Sequence, residues 1–422
     1  MISAGMLQAA AEVSLEAFFG ASLGLVVALA ATPLLAGDKQ TKYLILHDFK
    51  RKLDAHGGSG GLVGDENARH LYGMSPFGGA NNRGAIFKVS LDGSETVLYS
   101  FSEDGRSDGR NPSSSLLRDA GGNLYGTTLD AGPRGFGTVF KFSPNGKFKV
   151  LHAFAGGSDG SGPLGGLVQD DNGNLYGATD DGGGEAACDG KTCGTIFKIT
   201  PSGTESVVFA FSGSDQGYAP HSKLLRDKEG NLFGTTEYGG SGYANCYDGC
   251  GVIFEVTPDG QERVLHAFAG ENDGAHPSGG LIEDDNGILY GTAYSAGTAA
   301  MGVVFKITTE GTYTVLHDFT GGNDGAHPLG GVIQDLAGNL YGTTYDGGGC
   351  GGNGCGVVYR IATDTTLTVL HDFKADKIDG IYPTGSLLAD DKFKRVCGAT
   401  AEGGTHRVGT VFRLNVSPNN RY

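Results

Sequence analysis

The chain has 422 residues, 76 of them glycine and 13 proline, with a formal net charge of −16 at pH 7. Length alone leaves room for several ordinary domains or for one body built from repeats. The acidic balance repels phosphate backbones and argues against general nucleic-acid binding; a basic spot such as Arg106 with Arg110 is too small to reverse that field.

Residues 1–37 form a signal-like segment. Ala17 to Gly37 is uncharged and largely apolar, ending in Ala28-Leu29-Ala30 and Leu34-Leu35-Ala36, small-residue patterns that a signal peptidase accepts. Glu12 and Glu16 stand where a signal carries positive charge, and no Lys or Arg precedes Lys39. An uncleaved anchor is therefore the alternative, and the run is long enough to serve as one. Membrane association is expected only through this segment.

From residue 38 to 415, short apolar runs alternate with glycine-rich turns and no helical periodicity is sustained, so the body reads as all-β. One unit recurs, seen cleanly as Asn123-Leu124-Tyr125-Gly126-Thr127-Thr128 and again at Asn339 to Thr344. Its anchors are Tyr72, Tyr125, Tyr176, Phe233, Tyr290, Tyr341 and Cys397, with spacings of 53, 51, 57, 57, 51 and 56. Four strands fit each unit. In the fifth they are strand a (Gly280-Leu281-Ile282), strand b (Leu289 to Thr292), strand c (Gly302 to Lys306) and strand d (Val315 to Phe319). The Asp285-Asn286-Gly287 turn between a and b favours a tight hairpin, and the glycine inside strand b predicts close approach of a neighbouring backbone. Four-stranded units of this size have the dimensions of propeller blades. Strands a, b and c occur seven times but only six d strands follow them. The missing one lies in Leu44 to Phe49. A seven-bladed β-propeller closed by its N-terminal strand is the expected fold, with residues 416–422 as a tail. A monomer is expected.

Six of the seven cysteines form close pairs, Cys188/Cys193, Cys246/Cys250 and Cys350/Cys355, all in the longer units. Each pair predicts a local disulfide in a stapled loop, which fits an oxidising compartment; zinc would need two pairs from separate blades to meet. Cys397 is expected to be a buried thiol.

The Leu-Tyr-Gly-Thr-Thr, Gly-Thr-Val-Phe-Lys and Val-Leu-His-x-Phe strings resemble the GloVer (Gloeo/Verruco) tandem repeat of bacterial exported proteins, over about Tyr43 to Asn415. The resemblance implies export, to the periplasm, cell surface or medium, and a propeller-like fold without naming an activity. Many relatives carry a C-terminal sorting segment. Val416 to Tyr422 does not resemble one, which favours a soluble product.

Residues repeated in every blade are most simply explained by folding. His47, His152, His266, His317 and His371 recur on the outer strand and cannot converge. The loop aspartates Asp108, Asp159, Asp273, Asp324 and Asp379, with Asp215 roughly equivalent, suit turn capping; calcium is the alternative, and no other metal or cofactor is expected. Variation is more informative. Around the loop proline that should ring one channel mouth stand Asn111, His276, His327 and Tyr382, with His221 and Lys223 just beyond theirs. These are candidate ligand groups, against the bland reading of solvated loop. Tyr238, Tyr243 and Tyr247 mark the b–c loops as a second candidate surface.

No zinc-protease helix or P-loop occurs, and without helical periodicity in the body no glycine-rich string stands at the strand-to-helix turn that a nucleophile elbow or dinucleotide fingerprint needs. Three functions are therefore carried forward: an exported non-enzymatic propeller that recognises a polysaccharide or protein partner; a carbohydrate- or lactone-active lyase or hydrolase working at the channel mouth; and a purely structural repeat protein.

Overall fold

The computed structural model describes residues 43–50, 54–66, 68–183, 193–240, 245–350 and 354–416. The signal-like segment, Cys188, Tyr243 and residues 417–422 lie outside the described residues. Seven antiparallel blade sheets follow one another along the chain, with a two-stranded ribbon of Ala55–His56 and Phe77–Gly78 beside them, and the 3-10 turn Ser214–Gln216 is the one helical element among the described residues. None of these residues forms a helix long and apolar enough to cross a membrane.

The fifth blade shows the pattern: strand a is Ile282–Glu283, b is Ile288–Ala293, c is Val303–Thr308 and d is Tyr313–Asp318, hydrogen-bonded in that order. In the seventh blade the outer strand is Tyr43–Asp48, paired with Thr410–Asn415 so that Ile45 faces Phe412. That blade is thus made from both ends of the chain. Strand a is shorter than the sequence suggests in most blades. Its Gly-Gly portion leaves the hairpin because inner strands crowd one another, and a Cβ on Gly331 would sit 2.3 Å from the Gly280 carbonyl oxygen.

The repeat strings have a physical meaning. Each strand-c aromatic lies across the glycine of strand b, its register partner: Gly291 faces Phe305, whose ring tip would be 2.6 Å from an added Cβ. The close neighbour of that glycine is therefore a side chain and not a backbone. The same aromatic meets, edge-on, the buried Phe that follows strand d of the preceding blade. Phe268 and Phe305 are 5.7 Å apart, Phe319 and Tyr359 5.3 Å, and Phe373 and Phe412 5.3 Å. Phe49 and Phe87, 5.2 Å apart, make the same contact between the N-terminal strand and the first blade. Edge-to-face pairs contribute about 0.5–1.5 kcal/mol each beyond the burial of the rings.

The outer-strand histidines close the same seams. His152, His266, His317 and His371 meet Asp159, Asp273, Asp324 and Asp379 at 3.0–3.3 Å, and those aspartates also accept backbone N–H groups of their loops. Asp215 does not share this role. It is exposed in the 3-10 turn, and Gln216 fills the place, bonding Ser212 and Glu262.

Two of the three expected disulfides are formed among the described residues, Cys246–Cys250 and Cys350–Cys355. The expected Cys188/Cys193 pair is not seen whole. Cys193 is buried just before strand c of the third blade, in the cluster that holds Ile196 and Phe211, whereas Cys188 lies outside the described residues. Cys397 is a buried free thiol whose pKa burial pushes up to about 12.

Candidate functional site

Residues of the seven inner segments line a central channel of about 980 Å³. Lys223 stands at a level where the other six blades place Gly61, Ser115, Gly166, Gly280, Gly331 and Ser386. One long cation therefore occupies a waist built otherwise from the smallest side chains. Its stem lies over Gly166, where a Cβ would come within 3.1 Å of it. The surrounding walls desolvate the ammonium and lower its pKa, although its surface still reaches the lumen. Below it the wall turns apolar at Val63, Leu117, Val168, Leu225, Ile282, Ile333 and Leu388.

The loops joining strand d to the next strand a, and those joining b to c, lie on one face. Short bridges join them, Tyr218 to Tyr238, Ala275 to Ser295 and Ala326 to Asp346. The channel mouth and the b–c loops, read from sequence as two surfaces, are one. The residue before each loop proline has a left-handed backbone, with φ of 55° at Asn111 and Ala219, 53° at His276, 54° at His327 and 59° at Tyr382. Its amide and carbonyl stitch two blades: the His276 N–H donates to the Cys250 carbonyl, and the His276 carbonyl accepts from Tyr294. The proline packs on the glycine that opens the preceding strand c, such as Gly251, whose own φ is 90°.

On that scaffold the candidate side chains take separate partners. His221 is held between two carboxylates from adjacent blades, Nε2 at 2.6 Å from Asp180 and Nδ1 at 2.5 Å from Glu237. Burial alone would lower its pKa, but the bonds to Asp180 and Glu237 outweigh it and raise the value to about 9. Glu237 is held below the usual range; burial opposes this, and the bond to His221 prevails. His276 Nδ1–H donates to the Glu237 carbonyl, 3.1 Å away, and the ring stands edge-on to Tyr238, which stacks on Tyr218. His327 pairs with Asp346 at 2.7 Å and stacks on Tyr294 at 4.8 Å. Tyr382 stacks on Tyr345 at 4.9 Å and 17°. Asn111 bonds Asp130. Tyr247 is 96% exposed and stands apart.

The structure thus brings His221, His276 and Tyr238 together around Glu237, while His327 and Tyr382 sit in their own pairs on later blades. Of the six mouth candidates, His221 and Lys223 line the channel. Sequence reasoning missed Asp180, Glu237, Tyr294 and Tyr345. They share one repeat position, the residue after strand b, where the second blade carries Leu129, and variation at that position was the signal available.

The chain matches the model of the Gloeobacter/Verrucomicrobia repeat over residues 36–247 and 242–422. It belongs to that family. A comparison with curated proteins finds no match. Among solved structures it is similar to the extracellular domain of a protein described as a hybrid two-component system of B. thetaiotaomicron, with TM-score 0.56 and 11% identity, over 88% of this chain and 39% of that one. A second structure from B. thetaiotaomicron, described as the extracellular domain of a one-component system, gives TM-score 0.52 and 12% identity over 88% and 40%. This chain therefore spans about two-fifths of the length of those structures, and at such identities the likeness is one of fold.

Proposed function

We propose that the protein is an exported, non-enzymatic propeller that recognises a polysaccharide on the face carrying the channel mouth. The observation that supports this most is the run of paired rings on consecutive blades: Tyr238 with His276, Tyr294 with His327, and Tyr345 with Tyr382. Rigid, half-buried rings present apolar faces at little entropic cost, and the flanking carboxylates Asp180, Glu237 and Asp346 offer acceptors for hydroxyl groups. Such a surface repeated from blade to blade suits an extended chain of sugar units better than one small molecule. The two disulfides support export.

The alternative of an enzyme at the mouth gains no base from His221. His221 has both ring nitrogens engaged by carboxylates and is an imidazolium at neutral pH, so it has no lone pair with which to take a proton. Glycan-array binding of the full chain tests the reading, alongside Tyr294→Ala/Tyr345→Ala and His276→Ala/His327→Ala. Binding that falls at least tenfold in both variants, with circular dichroism unchanged, is expected. Binding retained in both moves recognition elsewhere, and a chain that binds no glycan favours a protein partner or a structural role.

A further inference from the structure

His47 occupies the outer-strand position of the seam histidines, and Asp54 takes the place that Asp273 holds beside His266. Here, however, the pair has opened. His47 Nε2 lies 3.6 Å from Asp54 Oδ2 and 3.4 Å from Glu95 Oε2, and neither contact has hydrogen-bond geometry. The nitrogen is buried and has no hydrogen-bond partner. The three ligand atoms lie within 4.8 Å of one another.

The rest of the arrangement orients these atoms. His47 Nδ1 is 3.0 Å from the Gly93 carbonyl, which can only accept, so Nδ1 carries a proton and Nε2 is the ring nitrogen turned toward the two carboxylates, where it offers a lone pair whenever the imidazole is neutral. Glu95 is fixed by the Ala55 N–H at its other oxygen, and Asp54 by the Lys50 N–H. Outer-shell bonds of this kind accompany metal-binding histidines. A lone pair and two carboxylates facing one small space repel one another, and either a proton on Nε2 or a cation held between the three groups relieves this. Two ligands on a tetrahedral ion with bonds of about 2.0–2.2 Å are about 3.4 Å apart, which matches the separations from Nε2.

We propose that His47, Asp54 and Glu95 bind a divalent transition-metal ion of the zinc class, joining the N-terminal strand to the first blade. A nitrogen with two carboxylate oxygens suits such an ion, and a fourth position is left for water. No equivalent set forms at the other histidines described above. At His221 the two carboxylates bond opposite ring nitrogens and so cannot share an ion. At His152, Nε2 already meets Asp159 directly. At His266 and His371 the place of Glu95 is taken by Tyr313 and Tyr43, which stack on the imidazole. The site therefore lies at the seam between the N-terminal strand and the first blade, and an ion there would hold that seam shut.

The test uses the full chain, stripped of metal with a chelator, titrated with zinc by calorimetry and followed by thermal unfolding. One equivalent should bind, with a rise in melting temperature of several degrees. Glu95→Gln, which keeps the shape, should weaken zinc binding at least tenfold and remove the thermal shift, while its metal-free melting temperature stays near that of the parent. Glu205→Gln, at the equivalent place of the third blade, should bind zinc as the parent does. Cobalt substitution should give the strong visible bands of a tetrahedral site in the parent and lose them in Glu95→Gln. Absence of zinc binding, or equal binding by the parent and Glu95→Gln, overturns the proposal.

Discussion

Histidine appears in this molecule in two settings. At the outer seams His266, His317 and His371 each meet one aspartate and stand edge-on to the Phe two residues on, with nearly the same geometry in each blade. At the mouth His221, His276 and His327 have different partners: two carboxylates, a backbone carbonyl with a tyrosine edge, and an aspartate with a stacked tyrosine. A symmetric scaffold explains the first set, because these three seams close in the same way. The second set breaks the symmetry at a place where neighbouring blades come together, and symmetry cannot account for it.

The sharpest way to separate the two settings begins inside a seam. Phe268→Ala removes a fully buried ring that touches Phe305 and Tyr313. It should cost about 3–5 kcal/mol in urea unfolding, with the remaining fold still binding ligand below its shifted midpoint. A cost under about 1 kcal/mol would mean that the edge-on rings do not hold the blades together.

His221 should follow, through its dependence on pH. Its pKa rises from the ordinary 6.5 to about 9, so its contribution is fully present below pH 6.5 and is lost as pH rises through 9. The contribution is on the order of 3 kcal/mol at the low-pH plateau. Glu237, held low, contributes above its ordinary value of 4.5 and loses that contribution as pH falls. Stability should therefore fall between about pH 6.5 and 9 in the parent, and this slope should be shallower in His221→Gln. Equal slopes would sink the clamp as a structural element. His317→Ala should be milder, about 1 kcal/mol, because Asp324 keeps its bonds to the Thr320 amide and hydroxyl. Ligand binding should be untouched by it.

Much of the fold was legible in the sequence because its determinants lie within one unit and are repeated. The unpaired d strand at Leu44 to Phe49 could be assigned by counting. What escaped was set by contacts between units. The glycine of strand b signalled a close neighbour, but only the register identified it as the strand-c aromatic. Asp215 matched the loop aspartates by position, yet the 3-10 turn moves Gln216 into their place. Asp180 lies 41 residues from His221, and no spacing rule links them. The mouth was legible as a region through its variation, but its pairs were not, because each pair is formed by loops of different strands.

The smallest effect separates backbone from side chain at the mouth. Ala219 holds the same left-handed conformation as His276, and the equivalent residue in the third blade is Gly162, at φ 64°. An L-residue there carries a steric cost of about 1–2 kcal/mol, while glycine adds freedom to the unfolded chain that offsets about 0.4–1 kcal/mol of the relief. Ala219→Gly should therefore raise stability by up to about 1 kcal/mol in chemical unfolding, with ligand binding unchanged. His276→Gly gains the same backbone relief but loses the ring against Tyr238, so its stability should stay near that of the parent while binding falls. If binding falls equally in both variants, the mouth works through its backbone shape and the paired rings are only its lining.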